Sequence, residues 1–183
     1  MGWNSQPTAQ VIFEDCRVPA ENLLGEEGDG FKFAMKGLDG GRLNIAACSL
    51  GTAQRAFEKA LAYAGEREQF GSRICDFQAM QFKLADMATE LQAARLMLYD
   101  AARALDNNDP ERTKSSAMAK RFVTDTGFNV ANEALQIHGG YGYLQDYEIE
   151  RMVRDLRVHQ ILEGTNEIMR AIISRHLLAE RDR

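Results

Sequence analysis

The sequence predicts an all-α protein, an up-and-down bundle of long helices entered through a β strand and an extended crossover. Three observations carry that expectation. Phe77, Met80, Leu84, Met87, Leu91, Ala94, Leu98, Ala101 and Leu105 alternate steps of three and four without a miss, which is the spacing of a bundle seam. Proline is scarce, at 3 of 183 residues, and apolar positions recur at helical spacing elsewhere. The segments between the periodic runs are short, as loops between antiparallel neighbours are.

Taken in order, residues 1–24 stand apart from the rest. Val11-Ile12-Phe13 reads as a strand, and Cys16, Val18 and Pro19 carry the chain into a crossover. One strand cannot make a sheet, so it marks the end of a β unit whose pairing partners lie elsewhere. Residues 25–183 form the helical domain. Gly25, Gly28 and Gly30 punctuate a turn in the order Gly-x-x-Gly-x-Gly, which is not the dinucleotide fingerprint. A helix from about Phe31 to Glu66 follows, weakened at Gly37, Gly40 and Gly41, with Leu43, Ala47, Leu50, Ala53, Phe57 and Leu61 on one face. The seam helix runs from about Phe77 to Leu105 and is expected at the centre of the bundle; Asp106-Asn107-Asn108-Asp109-Pro110 ends it. Further helices are expected over about Thr113–His138, stopped by Gly139-Gly140, then Tyr147–Gln160 and Asn166–Glu180.

Composition excludes several function classes. A chain of 183 residues with 45% hydrophobic content can bury roughly 70% of its unfolded surface without a staple. Cys16, Cys48 and Cys75 are odd in number and form no Cys-x-x-Cys, which points to a reducing compartment. No apolar run is long enough for a bilayer and none resembles a signal peptide, so no membrane partner is expected. The net charge of −5 argues against nucleic acid, whose phosphates demand a concentrated basic face. No metal is expected. His138, His159 and His176 are scattered, no Glu-x-x-His pair exists and there is no His-Glu-x-x-His. A phosphate loop and a Gly-x-Ser-x-Gly elbow are also missing from the sequence.

What remains is a set of segments, each with an ordinary reading. Gln160-Ile161-Leu162-Glu163-Gly164-Thr165-Asn166-Glu167-Ile168 places an acid beside a glycine at a break between helices, where a ligand can approach the backbone; alone it is a solvated loop acid. Asp39 and Arg42 in Leu38-Asp39-Gly40-Gly41-Arg42 could be a plain i,i+3 ion pair. In Arg67-Glu68-Gln69-Phe70-Gly71, Arg67 and Gln69 could be solvated helix-end residues and Gly71 a C-cap. Phe77-Gln78 and Gln136-Ile137-His138-Gly139-Gly140-Tyr141-Gly142 complete the set.

In this order, together with the entry Val11-Ile12-Phe13-Glu14-Asp15-Cys16-Arg17-Val18-Pro19-Ala20-Glu21-Asn22-Leu23-Leu24-Gly25, these segments resemble the C-terminal region of the acyl-CoA dehydrogenases over essentially the whole chain. The Leu-Asp-Gly-Gly-Arg segment and the run Val158–Gly164 look most like the branched short-chain members. The resemblance implies α,β-dehydrogenation of a short, branched acyl-CoA with FAD as hydride acceptor. It makes Glu163 the base that takes the α proton. Some family members carry the base one residue before the arginine of Asp-x-x-Arg, and here that position is Gly41. Asp39, Arg42, Gly164 and Arg175 fall on the substrate side. Arg67, Gln69, Phe77, Gln78, Gln136, Ile137, His138, Gly139 and Gly140 match contacts to a neighbouring subunit's FAD, and Thr165, Asn166 and Glu167 match contacts to the subunit's own.

The implied partners are the acyl-CoA substrate, an electron-transfer flavoprotein and further copies of the chain in a homodimer or homotetramer. The implied location is the cytoplasm of a bacterium or the mitochondrial matrix of a eukaryote. Full members open with a helical and a β domain that this chain does not carry. By itself, therefore, it is expected to bind FAD poorly and to show no turnover. The alternative is a non-catalytic helical oligomerisation module derived from the family.

Overall fold

The computed structural model describes residues 1–181. Five helices carry the architecture: α1 (Gly30–Glu66), α2 (Gln78–Asp106), α3 (Arg112–His138), α4 (Ile149–His159) and α5 (Asn166–Arg181). A two-residue hairpin, β1 (Glu68–Gln69) with β2 (Ser72–Arg73), joins the first two, and 3-10 turns at Gly139–Tyr143 and Gln145–Tyr147 join α3 to α4.

The seam forms from Met80 onward as the spacing requires, while Phe77, expected at its start, precedes α2 and is 38% exposed. Leu84, Met87, Leu91, Ala94, Leu98 and Ala101 are buried, while Met80 and Leu105 pack at its ends. On α1 the buried line is Leu43, Ala46, Leu50, Ala53, Ala60 and Ala64, with Phe57 half-buried. Ala47 and Leu61, expected on that face, are exposed. The choice is steric: alanines at the contact let a partner helix come close, and the bulkier Leu61 is turned outward.

The centre of the bundle is α3, not α2. It packs along α1, α2, α4 and α5, and its buried residues, among them Ser116, Lys120, Val123, Gly127, Val130, Ala134 and Ile137, occupy a wide sector. Small residues make this possible. A Cβ on Gly127 would stand 3.2 Å from the Ser49 carbonyl oxygen of α1.

The strand expected at Val11-Ile12-Phe13 does not form; these residues are 77%, 73% and 76% exposed. A strand is held by a neighbour's backbone groups, and among the described residues the strands are β1 and β2, which pair with each other. Residues 1–3 instead dock on α4. The Trp3 ring stands edge-on to His159 at 4.9 Å, the Trp3 backbone N–H donates to the Asp155 carboxylate, and Arg154 Nη1 donates to the Met1 carbonyl at 2.8 Å.

The break after Glu66 is also a finding. Phe70 and Gly71 both have positive φ, 55° and 80°, the conformation that reverses a two-residue hairpin. Gly71 is therefore a hairpin residue and not a helix cap.

Candidate active site

Glu163 lies in the turn between α4 and α5. It has φ 54° and the following Gly164 has φ 87°, so two consecutive residues adopt the left-handed region that a carboxylate-bearing residue enters only at a cost. The turn is closed by Asn166 N–H donating to the Gln160 carbonyl at 3.0 Å. At the start of α5, the Thr165 hydroxyl accepts from Ile168 N–H at 3.4 Å.

The half-buried Glu163 side chain reaches back to α1. A Cβ built on Gly41 would stand 2.5 Å from its Oε2, 2.9 Å from Cδ and 3.2 Å from Oε1. The carboxylate thus rests on the bare backbone of the position that bears the base in other family branches, according to the resemblance. Two distant points of the sequence converge on one place. Glu163 also lines an open cavity of about 670 Å³ with Trp3, Asn44, Ile45, Val158 and Leu162.

On either side of Gly41 in α1, Arg42 Nη1 donates to Asp39 Oδ1 at 2.6 Å, and the Thr113 hydroxyl donates to Asp39 Oδ2 at 2.7 Å. Both charged residues are buried, 9% and 7% exposed. The ordinary reading, an i,i+3 ion pair, holds, and it leaves Arg42 Nε buried without an acceptor. A ligand oxygen can take that donor.

Six of the residues expected to face a neighbour's flavin meet in one cavity of about 470 Å³: Arg67, Gln69, Ile137, His138, Gly139 and Gly140. This is within the roughly 300–1,000 Å³ range of ligand cavities. The Arg67 guanidinium lies over the Tyr141 ring at 5.4 Å, and His138 stacks on Tyr63 at 4.4 Å between centroids. His138 Nδ1 pairs with the Ala134 carbonyl at 2.7 Å, and burial holds the ring below its ordinary pKa and neutral. Burial likewise raises the Tyr63 phenol. Cβ atoms on Gly139 and Gly140 would meet nothing within 4 Å, so an open backbone edge and one cation face the space. That donor set fits a flavin nucleotide's phosphates and rings.

The remaining candidates fall elsewhere. Phe77 packs edge-on to Phe70 at 6.4 Å, Gln78 is exposed at the start of α2, and Gln136 is exposed while its carbonyl accepts the Gly139 N–H. Thr165, Asn166 and Glu167 border a polar cavity of about 170 Å³ that also holds Arg157 and Arg170. The Glu167 carboxylate is kept below its ordinary pKa by its own backbone N–H and the Thr165 hydroxyl. The Asn166 side chain turns inward and is taken up by Lys120, Thr124 and Asp125. Arg175 is exposed on α5, 9 residues past its first residue, roughly 13 Å along the axis.

Sequence reasoning missed three features. Trp3 and Ile45 beside Glu163 had no local signal, because they come from two distant segments. Tyr63 did have one, since it lies four residues before Arg67 on the same helical face. Lys120 had the clearest: it interrupts the apolar stripe of α3, and it is fully buried, donating to the Gly164 carbonyl at 2.7 Å and to Asn166 Oδ1 at 2.8 Å. Burial pulls its ammonium down to about 8.

Comparison with known proteins identifies the family. The family model of the acyl-CoA dehydrogenase C-terminal domain matches residues 28–178. The mitochondrial isobutyryl-CoA dehydrogenase of Bos taurus is 56% identical over 180 residues, 98% of this chain and 43% of that protein. A subunit of the caffeyl-CoA reductase–Etf complex of Acetobacterium woodii is 49% identical over 97% of this chain and 47% of its own length. Among solved structures, butyryl-CoA dehydrogenase from Megasphaera elsdenii superposes with a TM-score of 0.88 at 47% identity, covering 91% of this chain and 43% of that one. The chain spans about half the length of the curated relatives it matches. With a matching family model over most of its length, a shared fold and close relatives, the chain belongs to the acyl-CoA dehydrogenase family and comprises its C-terminal helical domain.

Proposed function

We propose that this chain supplies the catalytic base of an FAD-dependent dehydrogenase that introduces an α,β double bond into a short, branched acyl-CoA. The observation that carries the reading is the Glu163 carboxylate, held by a left-handed turn against the bare backbone of Gly41 and lining an open cavity. Its task is to take the α proton of the thioester. FAD, when bound, accepts the hydride from the β carbon. A carboxylate can serve here because the turn holds it at the edge of an open cavity, and because no competing acid occupies the Gly41 position.

Arg42 is assigned to the CoA portion, with its unused Nε as donor and Asp39 and Thr113 fixing the fork. Arg67, Gln69 and the Ile137–Gly140 edge are assigned to FAD held between subunits, and Thr165 and Glu167 to the subunit's own FAD. The relative named as part of an Etf complex supports an electron-transfer flavoprotein as acceptor, and the isobutyryl-CoA relative supports a branched substrate. Location follows the source, bacterial cytoplasm or mitochondrial matrix.

A second reading, a non-catalytic helical oligomerisation module, draws on the apolar residues left uncovered on α2 and α5: Phe82, Leu96, Leu177 and Leu178 are 60%, 60%, 53% and 56% exposed. Glu163→Gln separates the two. In the flavin-loaded enzyme containing this chain it is expected to keep flavin yet lower kcat by at least about 10²-fold, the low end of what a positioned base contributes. Equal kcat values for variant and parent would move the base elsewhere.

A further inference from the structure

Among the described residues Lys120 is the largest side chain that is fully buried, and its environment is unusual for a cation. Both of its acceptors, the Gly164 carbonyl and Asn166 Oδ1, are uncharged. An ammonium in such a place costs more to bury than a methionine of similar length would. A core strut alone does not explain it.

What the ammonium touches does. Gly164 O belongs to the residue directly after Glu163, and Asn166 is the first residue of α5. Asp125, one turn along α3, accepts from Asn166 Nδ2 at 2.7 Å and from Gln160 Nε2 at 2.8 Å. The two ends of the turn are therefore tied to α3 through Asp125, and its middle through Lys120. The charged groups around the ammonium are Arg42 on α1, Asp125 on α3, Glu163 in the turn and Glu167 on α5. Glu163 and Gly164 both hold positive φ, a conformation that persists only when its surroundings over-determine it.

We propose that Lys120 is a positioning residue: its ammonium clamps the Glu163–Asn166 turn to α3 and so fixes the base carboxylate over Gly41. The proposal rests on the reading of Glu163 as the base, but its first test does not. In the 183-residue chain, Lys120→Met is expected to speed hydrogen exchange at the amides of Leu162 and Asn166 by about 10-fold or more, the loss of a charge-assisted bond. Both amides are hydrogen-bonded within the turn. The amides of Leu91 and Leu98 in α2 should change by less than about 2-fold, since the opening is local. Unchanged exchange at the turn would overturn the clamp.

Where Lys120→Met does not fold, Asn166→Ala removes one acceptor while leaving the ammonium its bond to Gly164, and the same local release is expected. If α2 exchanges as fast as the turn in every variant that can be made, the role is general packing and the proposal fails. In the flavin-loaded enzyme, Lys120→Met should lower kcat about 10-fold with KM near the parent's, and should raise the isotope effect for substrate deuterated at the α carbon. A fall in kcat with an unchanged isotope effect means fewer active molecules and counts against positioning. A Glu163→Gln enzyme that turns over normally would remove the base assignment while leaving the exchange result standing, so the two failures are distinguishable.

Discussion

At the residue scale, Gly41 and Glu163 form one unit although 122 positions separate them. Glycine inside a helix is less stable than alanine by roughly 0.5–1 kcal/mol, so Gly41→Ala should leave α1 as stable or slightly more so. The new methyl would stand 2.5 Å from Glu163 Oε2, and the carboxylate, facing an open cavity, is the group that gives way. The expected outcome is an unchanged or higher melting temperature with kcat lowered about 10-fold, by the displacement of a base from attack geometry. Full turnover would show that the carboxylate leaves Gly41 during catalysis. The two site arginines should separate in another way. Arg42→Ala strips a buried ion pair of one partner and should destabilise the fold by about 3 kcal/mol, whereas the half-exposed Arg67 should lose flavin with a stability change within about 0.5 kcal/mol. Urea unfolding and flavin content read both, and a stable Arg42→Ala protein would contradict the burial of the pair.

At the element scale, α2 shows how periodicity becomes energy. Leu91 is 3% exposed and Leu96 is 60% exposed on the opposite side of the same helix. Leu91→Ala is expected to cost about 2–5 kcal/mol, and Leu96→Ala within about 0.5 kcal/mol; similar urea midpoints for the two would refute the seam. From Met80 onward the seam was legible because alternating steps of three and four admit one face. On α1 the pattern was ambiguous, since alanine occurs at 34, 46, 47, 53, 56, 60, 62 and 64 and composition does not say which alanine a partner helix will cover. The hairpin at 68–73 escaped for a different reason. Arg67-Glu68-Gln69-Phe70-Gly71 carries no β-rich alternation, and its strands are only two residues long.

At the scale of the whole molecule, two buried histidines contribute to the acid response. His138 and His159 both have their pKa lowered from 6.5, chiefly by burial. The folded state therefore binds fewer protons than the unfolded chain as pH falls below about 6.5, and stability is lost in that direction while none is lost above it. His159 also bonds Ser49 at 2.8 Å through Nδ1, a contact the amide of asparagine can copy. The parent's urea midpoint should fall between pH 8 and 5.5, and His159→Asn should fall less; parallel declines would assign the acid sensitivity to carboxylates. The sequence by itself determined the helical class, the order and approximate ends of the five helices, the break that holds Glu163, and the segments that line the cavity at Arg67 and Ile137–Gly140. Each of these is encoded locally, in periodicity, helix breakers or contiguous motifs. Tertiary structure alone decided that α3 is central, that residues 1–3 cap His159 while Val11–Phe13 stays unpaired, that Glu163 rests on Gly41, and that Lys120 grips the turn. Those facts depend on which helix faces meet across distances of 40 to 150 residues, roughly, in the chain, and loop closure with side-chain volume, not local propensity, sets that outcome.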